Sequence, residues 1–118
     1  MTRRTALLLG LLVSLGCSPS SDDSVVTDGE IRQLLEAAGH AQSWANTQTW
    51  EFVVVRERDL IGRVVDTYVE KNPATKCSLA ASALIVACAK PGVSGCYGGQ
   101  VVTKFSSWFM FDLGMAVQ

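Results

Sequence analysis

A cluster of polar side chains stands where a helical pattern ends and an apolar strand pattern begins. Residues 39–56 read GHAQSWANTQTWEFVVVR, and the cluster in this stretch consists of Gln42, Ser43, Asn46, Thr47 and Gln48. Amide and hydroxyl groups can both donate and accept hydrogen bonds. Gathered in one turn, they could bind a ligand that presents many hydrogen-bonding edges. The alternative is a polar turn whose side chains satisfy its own backbone groups.

Two regular elements must position this turn. Thr27 and Glu30 have the spacing of a capping box, and the apolar residues that follow recur at helical spacing. They predict a helix that ends at Gly39. Residues 52–55 are a β-branched and aromatic run of strand length. Because the run does not alternate with polar residues, it predicts a strand that is covered on both faces.

The rest of the chain supplies further elements. Asp59 can cap a second, amphipathic helix. The ambiguous stretch at residues 75–81 fits a short helix, and residues 83–89 predict a second buried strand. Residues 92–99 contain four glycines and predict a loop, without the spacing of a phosphate-binding loop. Residues 108–117 predict an apolar helix in which Asp112 is the one charge. This pattern runs to the last residue without a stop signal, which predicts a chain that is cut short.

Composition narrows the class of protein. The chain has 118 residues, a formal net charge of -1 and 48% hydrophobic residues. It therefore forms one small globular domain at most, and it lacks the large basic surface that binds nucleic acid. The single histidine, His40, has no ligand partners at metal-binding spacing, and we predict no metal site. No catalytic triad or carboxylate pair is visible, and no residue is predicted to be catalytic.

The first 17 residues have the layout of a bacterial export signal. Two arginines precede an apolar run at residues 6–13, and Cys17 follows a Ser-Leu-Gly sequence that resembles a lipoprotein cleavage site. Lipidation at Cys17 would anchor the protein in the cell envelope, with residues 18–26 as a flexible tether to a domain at residues 27–118. The alternative is a misassigned start codon and a cytoplasmic protein. Cys77 and Cys96 could form a disulfide, although their spacing does not decide it.

The segment SWANTQTWEFVVV resembles the flavin-anchoring segment of the nitroreductase family. Ser43, Asn46, Gln48 and Trp50 match the family pattern position for position. Three further segments resemble the family in its own order: IRQLLEAAGHA is similar to its preceding helix, ALIVACAK to its next strand and WFMFDLGMAVQ to the start of its central helix. The resemblance covers residues 27–118. Where the family usually has two prolines in the anchoring segment, this chain has other residues, one of them Thr49.

The resemblance implies a three-layer α+β fold, here incomplete, with a central sheet flanked by helices. It implies a homodimer with FMN at the interface, which passes electrons from NAD(P)H to a nitroaromatic or quinone-like small-molecule acceptor. Ser43 and Asn46 would hydrogen-bond the flavin, Gln48 would support the segment, and Trp44 would either stack on the flavin or cover the turn. The alternative function is a non-catalytic envelope lipoprotein domain for binding or interaction.

Overall fold

The computed structural model describes residues 11–12, 25–105 and 107–118, with the side chains of residues 11–12 excluded. Apart from residues 11–12 and 25–26, the predicted export signal and tether lie outside the described residues, and so does Cys17. The helices are α1 (Asp28–Gly39), α2 (Arg58–Val65), α3 (Thr75–Ala80) and α4 (Trp108–Val117). The strands are β1 (Leu11–Leu12), β2 (Trp50–Val55), β3 (Leu84–Ala89), β4 (Cys96–Tyr97) and β5 (Gln100–Val101).

Helix α1 begins with the capping box that the sequence predicts. The Thr27 hydroxyl accepts a hydrogen bond from the Glu30 amide at 3.3 Å, and the Glu30 carboxylate accepts one from the Thr27 amide at 2.8 Å. The backbone hydrogen bond, and then the one from the Thr27 hydroxyl, lower the pKa of Glu30. The helix ends at Gly39 as predicted, but His40 is its C-cap, whereas the sequence had favoured Gly39 for that position. Its end fixes where the polar turn starts.

The central sheet has the strand order β1-β3-β2, and both pairings are antiparallel. Strands β2 and β3 pair along their whole length, from Trp50 opposite Ala89 to Val55 opposite Leu84. Since successive side chains point to opposite faces, this register puts Val55 and Leu84 on one face and Phe52 and Ala87 on the other.

Helices cover both faces of the sheet. Val55 and Leu84 pack with Ile61 and Val65 of α2 in the buried core, and α3 packs against α2. On the side of Phe52 and Ala87 lie α4, which contacts both long strands, and α1, which contacts α4. The result is the three-layer α+β arrangement, with α1 and α4 in one outer layer and α2 and α3 in the other.

Three predictions about these elements are wrong. Strand β2 is not covered on both faces, because α2 reaches only its Val55 end and leaves Val53 52% exposed. Glu57, not Asp59, is the N-cap of α2, and Asp59 lies in the first turn. The glycine-rich loop contains the hairpin β4–β5, whose two-residue turn, Gly98 and Gly99, has φ values of 57° and 80° that suit glycine.

The disulfide that the sequence left open between Cys77 and Cys96 is not formed, because Cys96 is a free thiol. In the described part of the chain, no helix combines the length and the apolar character needed to cross a bilayer. The ambiguous stretch at residues 75–81 is helical as α3 over all but its last residue. Both the second buried strand and the apolar helix at residues 108–117 form within one residue of their predicted bounds.

Candidate functional site

The four residues predicted to bind a cofactor lie in one loop. Residues 42–49, called here the site loop, join α1 to β2 and contain a short 3-10 helix, Trp44–Asn46. The end of α1 fixes one end of the loop. The pairing of β2 with β3 fixes the other, and the Lys90 amide donates to the Thr49 carbonyl oxygen at 2.9 Å. The loop is therefore held between two packed elements.

The backbone of the site loop has an unusual conformation. Ala45, Asn46 and Gln48 have φ values of 48°, 55° and 44°, in the left-handed region. An L-residue other than glycine pays about 1–2 kcal/mol for this conformation, and asparagine tolerates it better than most. Such conformations persist only where surrounding contacts hold them, and they are concentrated at ligand-binding and active sites.

Hydrogen bonds within the loop are part of what stabilises this backbone conformation. The Ser43 hydroxyl oxygen accepts from the Gln48 amide at 2.9 Å, and the Thr47 hydroxyl donates to the Trp44 carbonyl oxygen at 2.8 Å. The Gln48 side chain donates from Nε2 to the carbonyl oxygen of Gly39, at the end of α1, at 3.0 Å. Gln48 thus links the site loop to the end of α1. These bonds also correspond to the alternative of a turn that satisfies its own backbone groups.

A carboxylate of α4 also fixes the conformation of the site loop, and it was not predicted from the sequence as a site residue. Asp112 is 1% exposed. Its Oδ1 accepts a hydrogen bond from the Trp44 amide at 3.0 Å, and its Oδ2 accepts one from the Ser94 hydroxyl at 2.5 Å. Ser94 is itself completely buried. The available signal was the single charge in an apolar helix, because a buried carboxylate requires hydrogen-bond donors.

Asn46 differs from its neighbours in the loop. Its backbone amide donates to the Ser43 carbonyl oxygen at 3.0 Å. Its side chain is exposed, and none of the hydrogen bonds in the described part of the chain involves its carboxamide. The carboxamide has one oxygen that accepts and one NH₂ group that donates. Trp44 is half-buried, which leaves open whether its ring stacks on a ligand or covers the turn. Among the four predicted site residues, Asn46 therefore has the side chain that is most available to a ligand.

Two clefts lie elsewhere on the surface. The larger, of about 670 Å³, is bounded by α1, α3, β3 and the C-terminal end of α4, with Leu34, Ile85 and Met115 in its wall. The smaller, of about 560 Å³, lies between α1 and the start of α2. Neither contains Ser43, Trp44, Asn46 or Gln48. Asn46 is exposed and lies outside both of these clefts.

Other polar residues have structural contacts. Arg56 forms a 3.0 Å ion pair with Asp28 and donates to the Val26 carbonyl oxygen. Arg58 donates to two carbonyl oxygens in the connection between α3 and β3. Both arginines are exposed to solvent and also join segments of the chain. No group of three potential metal ligands occurs among residues 25–105 and 107–118.

The comparison with known protein families covers the segment that contains the site loop. The sequence model of the nitroreductase family matches residues 21–76. A protein of Archaeoglobus fulgidus, provisionally named NADH dehydrogenase/NAD(P)H nitroreductase, is 35% identical over 72 residues, which are 61% of this chain and 39% of that protein. The chain thus spans well under half the length of this curated relative.

A solved structure resembles the chain over a larger part of its length. The crystal structure of a nitroreductase family protein from Clostridium novyi NT matches with a TM-score of 0.66 and 23% identity, covering 80% of this chain and 50% of that one. At this identity the likeness establishes the fold alone. It confirms the predicted α+β class, as an incomplete nitroreductase-like fold.

Proposed function

We propose that this chain is part of an FMN-dependent oxidoreductase of nitroreductase type. The enzyme would transfer electrons from NAD(P)H through the flavin to a nitroaromatic or quinone-like acceptor. The observation that carries the proposal is the site loop, in which contacts from α1 and α4 hold a left-handed backbone. This backbone leaves the Asn46 side chain exposed and without a hydrogen bond to any described residue. The family match over residues 21–76 includes this loop and supports the same reading.

The donor set of the loop fits a flavin. The Asn46 amide can donate and accept, and the Ser43 hydroxyl, whose oxygen accepts from the Gln48 amide, keeps its own proton to donate. A flavin presents both donors and acceptors along the edge of its pyrimidine ring, so these two side chains would bind and orient it. Gln48 and the Trp44 backbone would keep them in place. When bound, FMN supplies the hydride and electron transfer chemistry.

A homodimer would enclose the ligand that a single protomer leaves open. Asn46 lies on the surface, outside both clefts. Helix α4, whose Asp112 contacts the loop, exposes 50% of Met110 and 61% of Phe111. Exposed apolar groups of this size favour burial against another protein surface. A partner subunit on α4 would therefore lie beside the loop, and FMN affinity should increase with protein concentration.

Titration of the 118-residue chain with FMN tests the proposal. We expect flavin fluorescence to be quenched on binding and flavin absorbance to stay with the protein through gel filtration. Asn46→Ala should weaken binding by about tenfold, because one or two hydrogen bonds to the ligand are lost. The control is Asn72→Ala, since Asn72 lies in the turn between α2 and α3, where its side chain accepts a hydrogen bond from the Ala74 amide. A folded protein that does not retain FMN at any concentration would exclude the proposal.

For the cellular location, we propose a lipid anchor at Cys17 in the cell envelope. The support is the sequence pattern alone: two arginines, an apolar run and a cysteine after glycine. Metabolic labelling with a radioactive fatty acid tests it, with Cys17→Ala as the control. Absence of label in the wild type would leave a cytoplasmic enzyme. None of the similar proteins supports the alternative of a non-catalytic binding domain.

A further inference from the structure

Asp112 connects three segments that are distant in the sequence. The carboxylate sits in the middle of α4 and takes one hydrogen bond from the site loop, at Trp44, and one from the turn that precedes β4, at Ser94. Both Asp112 and Ser94 are almost or completely inaccessible to solvent. A buried carboxylate is unfavourable unless donors satisfy it, and here each oxygen has one. The arrangement therefore depends on the loop and the turn keeping their positions.

The contact falls at the point where the site loop needs an external partner. Trp44 is the first residue of the 3-10 helix, and the amides at the start of a helix have no partner within it. Asp112 satisfies the Trp44 amide from another element. The three left-handed residues of the loop follow immediately, between positions 45 and 48. A fixed first residue limits the conformations that are open to the residues after it.

The burial of Asp112 excludes direct contact with a ligand on the surface of the loop. Its effect on the site has to pass through the Trp44 amide. We propose that Asp112 is a positioning residue of the flavin site, which fixes the site loop in the conformation that presents Asn46 and Ser43. This inference rests on the proposed function. The buried Ser94 hydroxyl orients the carboxylate, so that the turn before β4 also contributes to the geometry of the loop.

Two substitutions at one position test the role. Asp112→Ala removes both hydrogen bonds, and we expect FMN to bind about tenfold to a hundredfold more weakly. Asp112→Asn keeps an oxygen for the Trp44 amide, and the Ser94 hydroxyl can rotate to accept from the new NH₂ group. We therefore expect Asn to restore binding to within about threefold of the wild type. Both affinities are measured by quenching of flavin fluorescence with the 118-residue chain.

A readout without ligand separates this inference from the proposed function. Hydrogen exchange of the Trp44 amide, followed by NMR in the absence of FMN, should be faster in Asp112→Ala and unchanged in Asp112→Asn. If the wild type binds no FMN, the proposed function fails, and the exchange rate alone decides whether Asp112 positions the loop. Unchanged exchange in Asp112→Ala would overturn the role.

A core variant controls for a general loss of stability. Ile61 is 1% exposed in the core between α2 and the sheet, on the opposite side of the sheet from α4. Ile61→Val or Ile61→Ala, whichever matches the unfolding midpoint of Asp112→Ala, should keep the FMN affinity of the wild type. Equal loss of affinity in the matched core variant, or wild-type affinity in Asp112→Ala, would show that the carboxylate only stabilises the fold.

Discussion

Replacing Thr49 by valine should stabilise the protein. Thr49 is 6% exposed, and its Oγ1 is buried without a hydrogen-bond partner in the described part of the chain. Burying such a hydroxyl costs about 1–3 kcal/mol by comparison with mutational data. Valine has the same branched shape and suits the entry to a strand equally well. The carbonyl oxygen at this position would still accept from the Lys90 amide.

We expect Thr49→Val to raise the free energy of unfolding by about 1–2 kcal/mol, and the melting temperature by about 4 °C or more. Urea and thermal denaturation, followed by circular dichroism, measure both. Thr47→Val is the matched control two residues away, because the Thr47 hydroxyl donates to the Trp44 carbonyl oxygen at 2.8 Å. Its loss should lower the free energy of unfolding by about 0.5–1.5 kcal/mol. A decrease for Thr49→Val, like the decrease expected for Thr47→Val, would refute the reasoning, since the Thr49 hydroxyl would then have a partner such as bound water.

Three further substitutions test the loop, the hairpin and the first helix. Ala45 is exposed and has a left-handed φ of 48°, which glycine adopts without strain. Ala45→Gly should therefore raise the free energy of unfolding by about 0.5–1 kcal/mol in urea denaturation. A decrease would contradict the left-handed conformation at this position. Gly95→Ala should lower the free energy of unfolding by about 2 kcal/mol or more, because φ is 77° and the new Cβ would lie 2.6 Å from Cδ1 of Trp108. Wild-type stability would show that the indole moves freely. Thr27→Ala should reduce the free energy of unfolding most above pH 4.5, where Glu30 is ionised. The difference from the wild type should shrink as the pH falls through the lowered pKa of Glu30. A difference that does not change with pH would show that the capping box is not its cause.

Local signals explain what could be predicted. The capping box of α1 involves two residues three positions apart, and it forms as the spacing predicts. Helix α4 has the predicted bounds because its apolar run is longer than an ordinary strand, and length favours a helix. The hairpin β4–β5 was missed because the glycine content indicated a loop without showing that Gly98 and Gly99 form a turn tight enough to pair their flanking residues.

The candidate site also depends on both local and distant contacts, and only the local ones could be predicted. Ser43, Trp44, Asn46 and Gln48 lie within six consecutive positions, so any fold that keeps the turn brings them together. Which side chain would be left for a ligand was not predictable, because Ser43 and Gln48 acquire partners only once the left-handed backbone forms.

The carboxylate that holds the loop lies 68 residues from the amide that it accepts. A single charge in an apolar helix indicates that donors must exist somewhere, yet it does not say which segment supplies them. In the folded chain the donors come from Trp44 and Ser94, because α4 crosses the sheet beneath the site loop and beside the turn before β4. The chemistry of the site therefore depends on local polar residues, whereas its geometry depends on a contact that only the packing of α4 creates.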